Sequence, residues 1–141
     1  MTTKPEPQRA QSSTEGFGIN QITEAIIGAA MKVHSALGPG LLEKAYEVCL
    51  AHELVKTGFS VRTEVELPVV YDGVRVELGY RIDLIVNDLV IVELKCAERM
   101  IPVYEAQIIS YLKLSGKKVG LLINFHVRHL RDGIRRFIEG N

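Results

Sequence analysis

The segment from Leu89 to Cys96 constrains the fold more than any other part of this chain. Its sequence, LVIVELKC, is apolar at every position except two, so both faces of the strand that it predicts must be covered. A strand of this kind belongs in the middle of a sheet that has helices on both sides. The two exceptions, Glu93 and Lys95, are two residues apart and therefore share one face of the strand.

The rest of the sequence predicts the elements that cover this strand. Apolar residues recur at helical spacing from Ile22 to Leu37, and a second helix is predicted from about Leu41 to Thr57. The order ααβββαββ indicates an α/β domain in which helices flank a mixed sheet. The other predicted elements are strands over residues 61–71, 74–86, 89–96 and 119–125, a hairpin turn at Asp72-Gly73, a helix from Pro102 to about Leu114, and a segment at 126–141 that fits a strand or a short helix and is interpreted as a strand.

Length and composition favour one cytoplasmic domain. Residues 1–18 are polar and without periodicity, so we predict a disordered tail before a domain at 19–141. No apolar run approaches the roughly 20 residues that a membrane-spanning helix needs. Because the N-terminus lacks the character of a secretory signal, the two cysteines, Cys49 and Cys96, are expected to be reduced and buried.

The charge of the chain is balanced overall but unevenly placed. It has 17 basic and 17 acidic residues, which argues against a protein that coats nucleic acid by charge alone. Residues 1–100 carry 10 basic and 14 acidic side chains, and residues 101–141 carry 7 and 3. One surface can therefore attract phosphates while carboxylates elsewhere hold a metal, although a solvated basic face would give the same pattern.

Asp83 is a third charged residue that the folding pattern does not require. If paired residues on the two antiparallel strands sum to 176, Asp83 lies opposite Glu93 with Cβ atoms roughly 5 Å apart. Two facing carboxylates favour a divalent cation with oxygen ligands. A two-residue turn at Asn87-Asp88 would shift the sum to 175 and turn Asp83 away, so the metal hypothesis requires a three-residue turn or a bulge. A structural ion pair between Glu93 and Lys95 is the alternative.

Two helices carry further candidates. Glu43 falls within the apolar arc of the second helix, where it is either a partner of the helix dipole or an additional acid of the site. Gln107 and Tyr111 are spaced i, i+4 and share a face of the third helix, which is also typical of an ordinary amphipathic boundary.

These residues resemble a known superfamily. Asp83 followed by Glu93-Leu94-Lys95 resembles the D…(D/E)xK signature of the PD-(D/E)XK nucleases, and QxxxY on the third helix matches an accessory motif of some branches. HSALGPGLLEKAY, residues 34–46, is similar to the small bacterial and archaeal family named for its GxxExxY motif. The resemblance runs from about Ile22 to Ile138.

The resemblance implies a restriction-endonuclease-like αβββαβ core and a Mg²⁺- or Mn²⁺-dependent nuclease that hydrolyses phosphodiester bonds, with DNA favoured over RNA as the substrate. The alternative functions are a catalytically silent nucleic-acid-binding or assembly module on the same fold, and an interaction protein with a structural ion network. A chain of this size covers few base pairs, so specificity is expected to need a homodimer or a partner protein. The implied roles are metal binding by Asp83, Glu93, the Leu94 carbonyl and Glu43, catalysis by Glu43, Asp83, Glu93 and Lys95, and substrate positioning by Gln107, Tyr111, Tyr46 and His34.

Overall fold

The computed structural model describes residues 14–140. Of the tail predicted at 1–18, residues 1–13 lie outside the described residues, whereas residues 14–18 contact the domain. The buried Thr14 donates a hydrogen bond from Oγ1 to the Gly58 carbonyl at 2.9 Å, and the Phe17 ring packs edge-on against Phe59 with centroids 5.8 Å apart. The part of the chain that packs on the domain therefore begins before residue 19. The sequence did not predict this boundary, because these contacts leave no periodic signal in it.

The helices begin and end where residues with special backbone preferences occur. The first helix ends before Gly38, whose φ is 74°, and the third begins at Pro102 and ends before Gly116, whose φ is 75°. No helix of residues 14–140 has the length and apolar character to cross a membrane. The elements are helices α1 (Ile19–Leu37), α2 (Glu43–Lys56) and α3 (Pro102–Ser115), strands β1 (Val61–Glu66), β2 (Val69–Tyr71), β3 (Val74–Val76), β4 (Arg81–Val86), β5 (Val90–Lys95), β6 (Val119–Asn124) and β7 (Ile134–Ile138), and a 3₁₀ helix at Leu130–Gly133.

Five strands form a mixed sheet in the order β1-β4-β5-β6-β7. Strands β5 and β6 are parallel, and the other neighbours are antiparallel. The central strand is β5, and its residues from Val90 to Leu94 are all buried. One apolar cluster joins the sheet to α1 and α2, and a second joins the opposite face to α3. This arrangement confirms the fold class predicted from the sequence.

The two long strands predicted at 61–71 and 74–86 are each interrupted. The Asp72-Gly73 turn joins β2 to β3 as predicted, but these form a separate two-stranded hairpin. The interruptions fall at Pro68, which has no N–H for a ladder, and near Gly79, whose φ is 81°. The strand predicted for residues 74–86 is therefore divided into β3 and β4.

The C-terminal segment contains both of the structures that its sequence allowed. Residues after Asn124 form a loop and the 3₁₀ helix, and the chain then returns as β7 beside β6. Gly133 makes the return possible because a Cβ atom there would lie 2.3 Å from the Asn124 carbonyl oxygen. The interpretation of this segment as a strand is confirmed for Ile134–Ile138.

Candidate active site

A three-residue turn joins β4 to β5, as the metal hypothesis required. Residues 87–89 form the turn, and both Asn87 and Asp88 have positive φ angles, 51° and 57°. Asn and Asp tolerate this left-handed conformation better than most residues. The paired residues sum to 176: Leu84 with Val92, Ile85 with Ile91, and Val86 with Val90.

Beyond the Leu84–Val92 pair, side chains replace the backbone ladder between β4 and β5. The Asp83 N–H donates a hydrogen bond to Oε2 of Glu93 at 2.9 Å, and the Leu94 N–H donates to Oδ2 of Asp83 at 2.8 Å. Each carboxylate thus takes the place of a backbone acceptor on the neighbouring strand. The two carboxylates are held side by side, with Oδ1 of Asp83 and Oε1 of Glu93 outside these two bonds.

Strand β1 is also distorted beside Asp83. Glu64 has a φ of 51°, and the pairing of β1 with β4 skips both Glu64 and Asp83. As a result, Ile82 packs in the cluster against α3, whereas Leu84 packs in the cluster against α1 and α2. Although they are only two residues apart, Ile82 and Leu84 therefore lie on opposite faces of the sheet, because the chain is irregular between them.

Burial disfavours the charged forms of both carboxyl groups. Burial raises the pKa of Glu93 to about 8, and the charge of Asp83 adds to the effect. Burial also raises the pKa of Asp83, although the hydrogen bond from the Leu94 N–H opposes the shift. Carboxyl groups perturbed by burial and by one another are typical of functional sites.

Helix α2 brings two more acids towards the pair. Glu43, its first residue, is exposed, and burial of part of its surface raises its pKa while the charge of Lys95 opposes the rise. Glu47, one turn further on, is buried and accepts a hydrogen bond at 3.1 Å from Lys44, which also bonds to Glu64. Burial raises the pKa of Glu47 as well. Glu47 was not among the residues predicted for the site, although its i, i+4 spacing from Glu43 indicates a shared face.

The donor chemistry of this cluster fits a hard divalent cation. Carboxylate and carbonyl oxygens are available from Asp83, Glu93 and Leu94. Within residues 14–140, no three His, Cys, Asp or Glu side chains form a ready-made metal cage. Mg²⁺ is usually held by only one or two protein carboxylates together with water and substrate phosphates, so the Asp83–Glu93 pair meets its needs.

Lys95 lies two residues after Glu93 on β5 and does not neutralise it by direct contact. Among the described residues, the Lys95 ammonium makes no ion pair, and it rests over the Tyr104 ring, 4.7 Å from the ring centroid. A cation over an aromatic face is held by the ring quadrupole. The structural ion pair considered for Glu93 and Lys95 is therefore absent from the described residues, and Tyr104 becomes a candidate that sequence reasoning had not assigned to the site.

Helix α3 places its QxxxY pair beside the acids. The Gln107 amide donates a hydrogen bond to the Tyr111 hydroxyl at 3.0 Å. Tyr111 is buried, and burial together with the charges of Glu93 and Asp83 raises its pKa. Tyr104, Gln107, Lys95 and three neighbours line an open cavity of about 390 Å³ next to the acids.

Tyr46 does not lie where a substrate could contact it. Its ring is fully buried and stacks on Phe125 with centroids 4.4 Å apart. Its hydroxyl donates a hydrogen bond to the Gly38 carbonyl and accepts one from the Leu41 N–H at 3.0 Å. The predicted substrate-positioning role is replaced by a structural one, because Tyr46 holds the turn from which Glu43 and helix α2 begin.

His34 links the end of α1 to the loop after β6. It is buried near the end of α1, and its Nε2 is 2.8 Å from the Val127 carbonyl oxygen. His126 makes a second link, from Nδ1 to the Pro39 carbonyl oxygen at 3.1 Å. His34 therefore fixes the loop after β6, and its role in substrate positioning stays a prediction.

Comparison with known families identifies the class of protein. A family model of the PD-(D/E)XK nuclease superfamily matches residues 20–137. The chain belongs to this superfamily, and its five-stranded mixed sheet flanked by helices is consistent with a restriction-endonuclease-like fold. Comparisons with curated proteins and with solved structures give no match. Superfamily members generally use divalent metals and act on nucleic acid.

Proposed function

We propose that this protein is a divalent-metal-dependent nuclease that hydrolyses phosphodiester bonds in the cytoplasm, with DNA as its substrate and Mg²⁺ or Mn²⁺ as its cofactor. The observation that carries the proposal is the Asp83–Glu93 pair, which two hydrogen bonds hold side by side, one from the Asp83 N–H to Glu93 and one from the Leu94 N–H to Asp83. Lys95 follows Glu93 on the same strand. A structural core has no evident use for two adjacent carboxyl groups whose pKa values burial raises. The choice of DNA rests on the motif resemblance.

In this proposal, Asp83, Glu93 and the Leu94 carbonyl hold the metal, and Glu43 binds it directly or through water. A bound divalent cation polarises the phosphate and lowers the pKa of a water ligand. The raised pKa of Glu93, about 8, indicates that the pair resists full ionisation until a cation offsets the repulsion.

The remaining residues act on the substrate and on the attacking water. Lys95 orients the water or stabilises the negative charge that develops on the phosphate. The ring of Tyr104 holds the Lys95 ammonium, since the two groups are in contact. Gln107 and Tyr111, bonded to each other beside the acids, position the nucleic-acid backbone or the lysine.

Membership of the GxxExxY family is part of the same proposal. Its support is the way in which the motif residues cooperate: Gly40 belongs to the turn before α2, Glu43 is the first residue of α2, and the Tyr46 hydroxyl bonds to that turn. The motif therefore sets the direction in which Glu43 approaches β5.

A catalytically silent nucleic-acid-binding or assembly module is the second candidate. The superfamily includes inactive members. The observation that favours this candidate is the lack of a ready-made three-side-chain metal cage within residues 14–140. Retention of Asp83, Glu93 and Lys95 together favours the enzyme, since a silent scaffold has no need for these charges in a central strand.

The test is cleavage of single- and double-stranded DNA and RNA with Mg²⁺, Mn²⁺ or a chelator. We expect metal-dependent cleavage of DNA that Asp83→Asn abolishes. Asp88→Asn is the matched control, because Asp88 is exposed in the adjacent turn and pairs with Arg62 and Lys117. Particle mass measured with and without DNA tests for the homodimer expected from the small size of the chain. If the parent protein binds metal but cleaves none of the substrates, the silent-module candidate replaces the nuclease.

A further inference from the structure

We infer that a second, basic site at the carboxyl end of β6 binds a backbone phosphate of the nucleic acid at a distance from the cleaved bond. The inference deepens the proposed function and rests on nucleic acid being the substrate. The site is a cavity of about 240 Å³. Its polar lining comes from Arg128, Arg131, His129, Ser35 and His34.

The cations of this basic site are available for an anionic ligand. Among the described residues, Arg128 and Arg131 form no ion pair with a carboxylate. The segment from 126 to 136 contains four arginines and two histidines but only one acid, Asp132. Guanidinium groups match phosphate oxygens with pairs of parallel hydrogen bonds. The chemistry of the cavity therefore suits a phosphate better than a neutral ligand.

The loop that carries these cations is held firmly to the domain. His34 is bonded to the Val127 carbonyl, and His126 is bonded to the Pro39 carbonyl. The buried Asn124 accepts hydrogen bonds from the N–H groups of Ala97 and His126, both at 3.0 Å. A site with a fixed backbone loses less entropy when it binds a ligand.

The topology places the basic site within reach of the same nucleic-acid segment as the acids. Lys95 and Asn124 are paired neighbours at the carboxyl ends of the parallel strands β5 and β6. Arg128 follows Asn124 by four residues, so its Cα lies within about 19 Å of the Lys95 Cα, from a strand spacing of about 4.8 Å and at most about 3.5 Å per residue. At about 3.4 Å per nucleotide along a duplex, that span corresponds to at most about six base pairs.

Such a contact would offset repulsion by the acids. When no metal is bound, the ionised carboxylates of the acid cluster oppose the approach of a polyanion, and cations elsewhere on the surface counteract this effect. The basic site provides such cations at the carboxyl end of β6, next to that of β5, in agreement with the excess of basic residues at 101–141.

The decisive variant is Arg128→Gln/Arg131→Gln, compared with Lys113→Gln/Lys118→Gln. The control removes the same charge from the other end of the strands. Lys113 lies in the last turn of α3, and Lys118 lies just before the amino end of β6. Binding of a labelled 20-base-pair duplex is measured by fluorescence anisotropy in a chelator over a range of salt concentrations. Loss of the contact with this one phosphate is expected to reduce the slope of log K against log salt by about 0.9.

We also expect the variant to raise KM on long duplexes with little change in kcat, because the lost contact is the same in the ground and transition states. On duplexes that extend fewer than about six base pairs to either side of the cleaved bond, its KM should move back towards the parental value. Melting curves exclude misfolding, and Arg128→Lys/Arg131→Lys should regain part of the salt slope by restoring charge without the bidentate geometry.

The results distinguish failure of this inference from failure of the proposed function. Equal affinity and salt slope for parent and variant would overturn the basic site even if the protein cleaves DNA. Reduced binding by the variant alone, in a protein that cleaves nothing, would retain the basic site and reject the nuclease. Competition by polyglutamate as effective as competition by DNA would show a general anion surface and overturn the inference.

Discussion

Replacing Glu93 with Gln should make the metal-free protein more stable, and increasingly so as the pH rises. The native carboxyl is buried next to Asp83, and its pKa is raised from an ordinary 4.5 to about 8. Between these values the folded protein holds a proton that the unfolded chain has released, so the stability of the parent falls with increasing pH. Glutamine stays neutral, and its amide oxygen can still accept the hydrogen bond from the Asp83 N–H.

The size of the effect follows from the same pKa shift. With a value of about 1.4 kcal/mol per pKa unit, the variant should gain almost nothing at pH 4, about 3 kcal/mol at pH 7 and about 5 kcal/mol by pH 9. These are upper limits, because the charge of Asp83 contributes to the Glu93 shift and burial raises the pKa of Asp83 as well.

The assay is urea denaturation at several pH values, with chelator and with millimolar Mg²⁺. Added Mg²⁺ should stabilise the parent through linkage and leave the stability of Glu93→Gln almost unchanged. At neutral pH with Mg²⁺, the parent should therefore become the more stable of the two proteins. Glu24→Gln, which removes an exposed carboxylate from α1, is the control and should follow the parent. Parallel pH profiles for the parent and Glu93→Gln in chelator would refute the reasoning, since they would mean that the Glu93 carboxylate is not destabilised by its surroundings.

Two further predictions test the neighbouring residues. Lys95→Ala should keep or improve metal affinity in calorimetry, because it removes a cation near the metal. Its cleavage rate should nevertheless fall by about 10²-fold or more, and Lys95→Arg should restore that rate only in part. An unchanged rate for Lys95→Ala would remove Lys95 from the mechanism. Tyr46→Phe should lower the free energy of unfolding by about 1–3 kcal/mol in urea denaturation, because the Leu41 N–H and the Gly38 carbonyl lose their partner. The exposed control Tyr71→Phe should have no effect, and equal stabilities for all three proteins would contradict the role assigned to the Tyr46 hydroxyl.

Much of the fold was predictable because local chemistry determines where elements begin, end and become buried. Gly38 and Gly116 end helices, and Pro102 begins one, since these residues restrict the backbone in a way that does not depend on distant contacts. The apolar run at Leu89–Cys96 could be stable only as a central strand, and β5 is the middle strand of the sheet.

The register beside the site was not predictable in the same way. Alternation along a strand is compatible with pairs that sum to 175 or 176, and only the turn decides between them. The three-residue turn at 87–89 gives 176 because Asn87 and Asp88 adopt left-handed conformations. The positive φ of Glu64 likewise has no signal in the sequence, because it occurs where the pairing of β1 with β4 skips Glu64 and Asp83.

The sequence by itself determined the kinds of chemistry in this protein: a central strand with a carboxylate and a lysine on one face, an acid one hairpin earlier, and helices on both sides. Only the tertiary structure decided which side chains meet. It buried Tyr46 and His34 as supports for two loops, brought Glu47 and Tyr104 towards the acids, and gathered Arg128 and Arg131 with Ser35 around one cavity. The physical reason is that periodicity assigns a residue to a face of its own element, whereas a site depends on how faces of distant elements pack together.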